Sequence, residues 1–238
     1  MPFVDYLIYL FLLTGVALSI WRKKLTISGA ITGGLIGLLV FKGGGYTGIA
    51  LLTLFFIAGS VATGWRIDIK QKAGVAERDK GKRTAGQVLA NGGVAALLGA
   101  IAWYRPEYAA ILQIMIAGSL AAATADTLSS ELGTVYGKRF YDIISFKKAK
   151  AGPDGVVSWE GTGIGAAGAA LIAFVYLLGD GFTMAGLIIV AAGIIGNLAD
   201  SVLGATLERK GFIGNNVVNF LNTLVGALVC LVLWLIIG

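Results

Sequence analysis

Apolar residues run along this chain in blocks of about twenty, broken by short polar stretches, and each block is long enough to cross the hydrocarbon core of a bilayer. Eight blocks are expected as helices: Phe3–Trp21, Leu25–Phe41, Tyr46–Thr63, Ala85–Tyr104, Ala109–Leu128, Trp159–Leu178, Thr183–Leu203 and Val217–Ile237. The pattern predicts an all-α polytopic membrane protein, a single integral membrane domain over residues 1–238, with cytoplasmic loops near 65–84 and 134–157.

The polar residues within these blocks sit at one end. Thr26 and Ser28 open the second block, Ser60 and Thr63 close the third, and Gln87 and Asn91 open the fourth. Asp126, Ser130 and Glu131 close the fifth; Ser158, Glu160 and Thr162 open the sixth. Asp200, Ser201 and Glu208 close the seventh, and Asn215, Asn216, Asn219 and Asn222 open the eighth. If successive helices alternate in direction, all of these groups lie on the same side of the membrane. A through-membrane transport path needs polar groups deeper and on both sides. The one-sided pattern instead suits a site that takes a water-soluble ligand from one side and an apolar one from the bilayer.

Charge gives the orientation. The first block has no basic residue before it and Arg22, Lys23 and Lys24 after it. A secretory signal has its charge in front, so a retained anchor with its N-terminus outside is expected, and eight crossings place the C-terminus outside too. All but Lys42 and Arg105 of the 19 Lys and Arg residues then face the cytoplasm, as the positive-inside rule requires. The expected location is the cytoplasmic membrane of a prokaryote, with the site on its inner face.

Composition agrees. The chain is 57% hydrophobic and 13% charged, against about 25% charged in soluble domains. Its 36 glycines suit close helix packing in lipid. A lone cysteine, Cys230, excludes a disulfide framework, and the absence of histidine argues against zinc sites and histidine-based acid–base schemes. Nucleic acid is an unfit partner for basic residues without base-stacking platforms. Membrane lipids are partners by construction, and a homo-oligomer is compatible with the pattern.

The candidate chemistry centres on residues 126–162. Asp126 and Ser130, four apart, share a helix face. Asp126 and Glu131 do not, unless Gly133 lets the chain unwind and turn Glu131 inward. Asp200, in G-N-L-A-D-S-V-L-G-A-T-L-E, supplies a second acid at the same depth, with Ser201 beside it and Gly204 leaving room for a phosphate or a backbone. Carboxylates from two helices, with phosphate oxygens, are a usual way to hold Mg²⁺; a helix–helix hydrogen bond is the plainer alternative. Ser158, Glu160, Gly161 and Thr162 open a helix whose N-terminus attracts phosphate, or simply cap it. Lys138, Arg139, Lys147 and Lys148 lie between these acids and glycines, and Lys82 and Arg83 just precede Gln87; they are candidate anion contacts. The whole 66–83 loop reads equally as a topology signal touching lipid headgroups. Asn91 and the stripe Asn215, Asn219 and Asn222 serve either a ligand or helix–helix hydrogen bonds. An internal match joins Ser28-Gly29-Ala30 to Glu160-Gly161-Thr162 and Val88–Asn91 to Asn219–Asn222, which would make two parallel four-helix halves.

These stretches resemble a known family. A-D-T-L-S-S-E-L-G (Ala125 to Gly133), G-V-V-S-W-E-G-T (Gly155 to Thr162), L-A-D-S-V-L-G-A-T-L-E (Leu198 to Glu208) and N-N-V-V-N-F-L-N (Asn215 to Asn222) look like the transmembrane-protein-19-like integral membrane family. K-L-T-I-S-G-A (Lys24 to Ala30) and Q-V-L-A-N-G-G (Gln87 to Gly93) fit the same pattern. Plant and cyanobacterial members are phytyl-phosphate kinases, and the motif order is distantly similar to CTP-dependent polyprenol kinases. The chain departs at Ala151-Gly152-Pro153-Asp154-Gly155, where many members read P-x-G-T-N-G-G.

The resemblance implies transfer of the γ-phosphoryl group of CTP, or another nucleoside triphosphate, to an isoprenyl monophosphate such as phytyl or geranylgeranyl phosphate. It carries Asp126, Glu131 and Asp200 over as the family's acids, Ser158, Glu160, Gly161 and Thr162 as the E-G-T segment, and Asn216, Asn219 and Asn222 as the asparagine motif. Asp126, Glu131, Asp200 and Glu160 are the expected catalytic residues, with Asp126 and Asp200 holding Mg²⁺ and Glu131 or Glu160 completing its shell. A CTP-dependent lipid cytidylyltransferase and a non-enzymatic lipid or small-molecule transporter are the alternatives.

Overall fold

The computed structural model describes residues 3–72 and 82–238. Residues 73–81 of the basic 66–83 loop, Arg78 and Lys80 among its cations, lie outside the described residues. The helices are α1 (Phe3–Trp21), α2 (Ile27–Gly64), the short α3 (Ile67–Lys72), α4 (Ala85–Tyr104), α5 (Ala109–Tyr136), α6 (Trp159–Asp180), α7 (Ala185–Leu203) and α8 (Asn215–Ile237). Among the described residues, 7 helices are long and apolar enough to cross a membrane, α3 being the exception. The chain is an integral, multi-pass membrane protein.

One of those helices is two antiparallel legs. Within α2, Gly45 takes φ 61° and ψ −153° and turns the chain back on itself. Lys24 Nζ, just before the first leg, donates to the Ser60 carbonyl near the end of the second at 3.4 Å. A straight helix would hold those residues about 50 Å apart. The legs occupy the second and third apolar blocks of the sequence, with the glycine run Gly43-Gly44-Gly45 at the reversal. A side chain at Gly45 would be strained in that conformation.

The bundle is built around α5, which packs against α2, α4, α6, α7 and α8. Every residue from Ile114 to Ala125 is buried. Small side chains let neighbours approach on all flanks: a Cβ placed on Gly226 of α8 would lie 2.6 Å from the Gly118 carbonyl of α5. By contrast α1 leans on α2, and of its described side chains only Ser19 is buried. Equivalent four-helix halves would give α1 and α5 matching places, so the internal match does not extend to them. It has a local counterpart: Thr26 and Ser158 each accept a hydrogen bond from the backbone N–H of the glycine three residues on, Gly29 and Gly161.

Two expectations are corrected. α5 continues regularly to Tyr136 rather than ending near Leu128. Its hydroxyls bond back into the helix, Ser130 to the Thr127 carbonyl and Thr134 to that of Ser130, so polar composition does not stop it. Gly133 consequently unwinds nothing. It admits α6 instead: a Cβ there would lie 2.9 Å from Gly161 Cα. Second, the connection near 134–157 is not a plain loop, although the membrane bundle is all-α as expected. β1 (Phe140–Asp142), β2 (Lys148–Ala149) and β3 (Val156–Ser158) form a small antiparallel sheet in the order β2-β1-β3 between α5 and α6. Tyr141 pairs with Lys148 on one side and Val157 on the other. Strands this short carry too few positions to show an alternating pattern.

Candidate active site

The polar helix ends enclose a cavity of about 540 Å³. α4 contributes Asn91, α5 Asp126, Ser130 and Glu131, α7 Asp200 and Ser201, and α8 Asn219. Arg83, just before α4, and the loop from Gly152 to Ser158 complete the wall. Gly204 opens a turn of π-helix, Gly204–Glu208, that prolongs α7 along the cavity wall. The loop fits against it only because Gly155, at φ 74°, can pass beside Ala205 without a side chain.

Asp126 and Asp200 face each other here. They come from α5 and α7, are partly buried, and have carboxyl groups within hydrogen-bonding reach of one another. Asp200 Oδ1 is buried with no hydrogen-bond partner among the described residues. Arg83 is close enough to Asp126 for their charges to interact. Two carboxylates held together this way call for a proton or a cation between them.

Glu131 is not the third member of that group. Its Oε2 lies 2.5 Å from Lys70 Nζ, and Lys70, on α3, is 1% exposed. The same ammonium donates to the carbonyls of Ala62 at 2.7 Å and Thr63 at 3.1 Å, at the C-terminus of α2. Glu131 therefore closes a buried polar knot that fastens α3 and the end of α2 to α5. Among the described residues no three acidic side chains cluster as a metal site, so Glu131 does not join Asp126 and Asp200 in a triad.

Other expected contacts lie elsewhere. Lys138, Arg139, Lys147 and Lys148 are exposed around the small sheet and do not line the cavity. The sheet holds their segment beside the site instead of over it. Glu160 and Thr162 lie outside the cavity wall too, and Lys138 N–H donates to Glu160 at 3.4 Å. Gly161 is buried against α5, and the Ser158 hydroxyl, at the wall, is spent on capping α6. Lys82 precedes the wall residue Arg83 without joining it, and Asn216 is exposed beside Gly86. Asn222 is fully buried behind the cavity against Gly196, its side chain close enough to interact with Asp200.

The structure adds Lys70 and Asn197 to the wall and brings Gln87, Glu208 and Asn215 to it as well. Lys70 was hidden in the sequence by its place in a basic loop. Glu208 and Asn215 stand seven apart across a turn, so helical spacing could not join them.

The loop has its own anchor. Arg209 donates to Asp142 Oδ2 at 2.7 Å and, through Nε, to the Asp154 carbonyl at 3.0 Å. Hydrogen bonds from the Ser145 backbone and hydroxyl, together with Arg209, hold the Asp142 carboxyl well below the usual carboxylate range.

Comparison with known proteins places the chain. The family model described as integral membrane protein DUF92 matches residues 10–227. The chain belongs to this family. Within the DUF92 family it is 37% identical to an uncharacterized membrane protein of Methanocaldococcus jannaschii, over 84% of this chain and 82% of that protein. It is 32% identical to the chloroplastic protein VTE6 of Arabidopsis thaliana, over 88% of this chain and 65% of VTE6. Protein PGR of the same plant is 33% identical, over 80% of this chain and 74% of its own. No solved structure matches. The family resemblance carried by the acid, glycine and asparagine motifs is thereby borne out.

Proposed function

We propose that this DUF92 protein is a membrane-embedded kinase that transfers the γ-phosphoryl group of a nucleoside triphosphate, CTP or another, to an isoprenyl monophosphate. The observation that carries the reading is the facing pair Asp126 and Asp200 in a cavity that also holds Arg83. The motifs shared with phytyl-phosphate kinases and the similarity to VTE6 support it.

The donor set fits a divalent cation. Asp126 and Asp200 would hold Mg²⁺, and the orphaned Asp200 Oδ1 is the kind of hard oxygen it takes. Bound there, Mg²⁺ would supply neutralisation of the charge on the transferring phosphoryl oxygens. The protein's own task is placement. Arg83 offers a fixed positive charge to a phosphate beside the acids. Asn91 and Asn219 offer amides, and Ser130 and Ser201 hydroxyls, from four helices around one volume. In the transfer an acceptor phosphate oxygen bonds to the γ-phosphorus as the bond from that phosphorus to the β–γ bridging oxygen breaks. The acceptor oxygen is already anionic, so no general base is needed, in keeping with a chain without histidine.

The site would open to the cytoplasm in a prokaryotic membrane with both termini outside, as the charge asymmetry indicates. The test is to purify the protein in detergent, supply Mg²⁺ with γ-labelled CTP or ATP and a panel of prenyl monophosphates, and identify the labelled product. Label in a prenyl diphosphate supports the kinase. Release of pyrophosphate with a nucleotidyl lipid would make it a cytidylyltransferase, and no turnover would leave a binding or transport protein.

A further inference from the structure

A second cavity, of about 160 Å³, lies between α1, α2 and α4. Its wall is apolar, including Gly15 and Val16 of α1, Gly33 and Phe56 of α2 and Val88 of α4. It shares three wall residues with the polar cavity: Arg83, Gln87 and Asn91. The two spaces therefore meet at one point, and a guanidinium stands at the junction. Arg83 is held there by its neighbours: its charge centre lies 5.7 Å from the Phe55 ring centroid, and a Cβ on Gly59 would come within 2.9 Å of its Nη2. The backbone fixes the base of the residue as well, with Thr26 N–H donating to the Arg83 carbonyl at 3.0 Å and Arg83 N–H to the Lys24 carbonyl at 3.0 Å.

We propose that this groove receives the apolar chain of the acceptor lipid, with Arg83 binding its monophosphate at the threshold of the polar cavity. The inference rests on the kinase reading and adds the acceptor's position to it. An amphiphile with an anionic head and an apolar stem matches a dry groove that ends on a cation facing two acids. The chain enters from the bilayer, because α1, the outer wall, packs on α2 and leaves its other faces exposed. The groove is smaller than the roughly 300–1,000 Å³ of sites that bury a whole drug-sized ligand. It grips the isoprene units nearest the phosphate and leaves the remainder in lipid.

Gly15 marks the depth. It stands six residues before the end of α1 at Trp21, about 9 Å by the helical rise, beyond the reach of a single isoprene unit. A Cβ added there meets nothing within 4 Å, so a larger side chain at this wall position is accommodated without displacing the helices.

The test uses the full-length protein in detergent or nanodiscs. A twenty-carbon prenyl monophosphate with a diazirine on its second or third isoprene unit is photo-crosslinked, and the labelled peptides are mapped. Turnover of twenty-carbon and five-carbon prenyl monophosphates is measured in parallel for wild type and Gly15→Leu, with thermal unfolding to confirm that the variant is folded. The expected result is labelling of α1, α2 and α4 around Gly15, Gly33 and Val88, reduced in Gly15→Leu. The ratio of kcat/KM for the twenty-carbon over the five-carbon acceptor should fall at least about tenfold, mainly through KM, in line with a lost apolar contact. Labelling confined to other helices, or an unchanged chain-length ratio in a folded Gly15→Leu, would overturn the groove assignment while leaving wild-type kinase turnover standing. If wild type turns over no prenyl monophosphate the kinase reading falls, and crosslinking alone then decides whether the groove binds such lipids.

Discussion

Lys70 Nζ lies 2.5 Å from Glu131 Oε2 while also donating to the last carbonyls of α2. A lysine that is 1% exposed survives as a charge only with such partners. Removing one member leaves the other buried and uncompensated, at a cost of about 3–5 kcal/mol. Glu131→Gln should therefore lower the thermal midpoint in detergent by roughly 10 °C, and the double variant Lys70→Met, Glu131→Leu should recover much of the loss. If Glu131 were a metal ligand instead, its replacement would leave the metal-free midpoint unchanged.

The facing acids make the opposite demand. Their repulsion, offset in part by Arg83, destabilises the metal-free fold. Asp126→Asn should raise the midpoint without Mg²⁺ by a few degrees, on the scale of about 1 kcal/mol relieved. It should also abolish the rise that Mg²⁺ produces in wild type. A lower midpoint in Asp126→Asn without metal would mean that the pair is a structural hydrogen bond.

Much of this arrangement was legible in the sequence. Apolar blocks of membrane length gave the crossings, and the gathering of Asp126, Asp200, Asn91 and Asn219 at one end of their helices located the cavity. The separation of Glu131 from that group was not legible, because its partner Lys70 is 61 residues away in a loop that reads as a topology signal. Nor was the displacement of Lys138, Arg139, Lys147 and Lys148, which depends on strand pairing that two- and three-residue segments do not announce.

Gly45 should be intolerant of a side chain. Its φ of 61° with ψ of −153° belongs to a region essentially reserved for glycine. Gly45→Ala should cost about 1–3 kcal/mol, read as reduced resistance to unfolding in SDS. It should leave the affinity for nucleotide unchanged, because the turn lies at the far end of the bundle from the cavity. A neutral Gly45→Ala would argue against the reversal.

Asp142 sets the pH behaviour of the loop. Its folded-state pKa is depressed, so the contribution of the Arg209 and Ser145 contacts is fully present above the unfolded value near about 3.9 and is lost as pH falls through the lower folded value. Hydrogen exchange of residues 143–145, corrected for intrinsic rate, should be constant from about pH 8 to about pH 5. Asp142→Ala should lose that protection at Ile144 and Ser145 at neutral pH, because their N–H groups donate to the Asp142 carboxylate. Loosening of the wild-type loop already near pH 5 would contradict the assignment.

The most direct measurement is transfer of label from γ-labelled nucleotide to a prenyl monophosphate by wild type, Asp126→Asn, Asp200→Asn and the double variant, with each protein shown to be folded. Each single change should lower turnover about 10³-fold or more, and the double should fall little further, because the two carboxylates act as one unit. Single variants within about tenfold of wild type, or losses that simply multiply in the double, would contradict a shared role for Asp126 and Asp200.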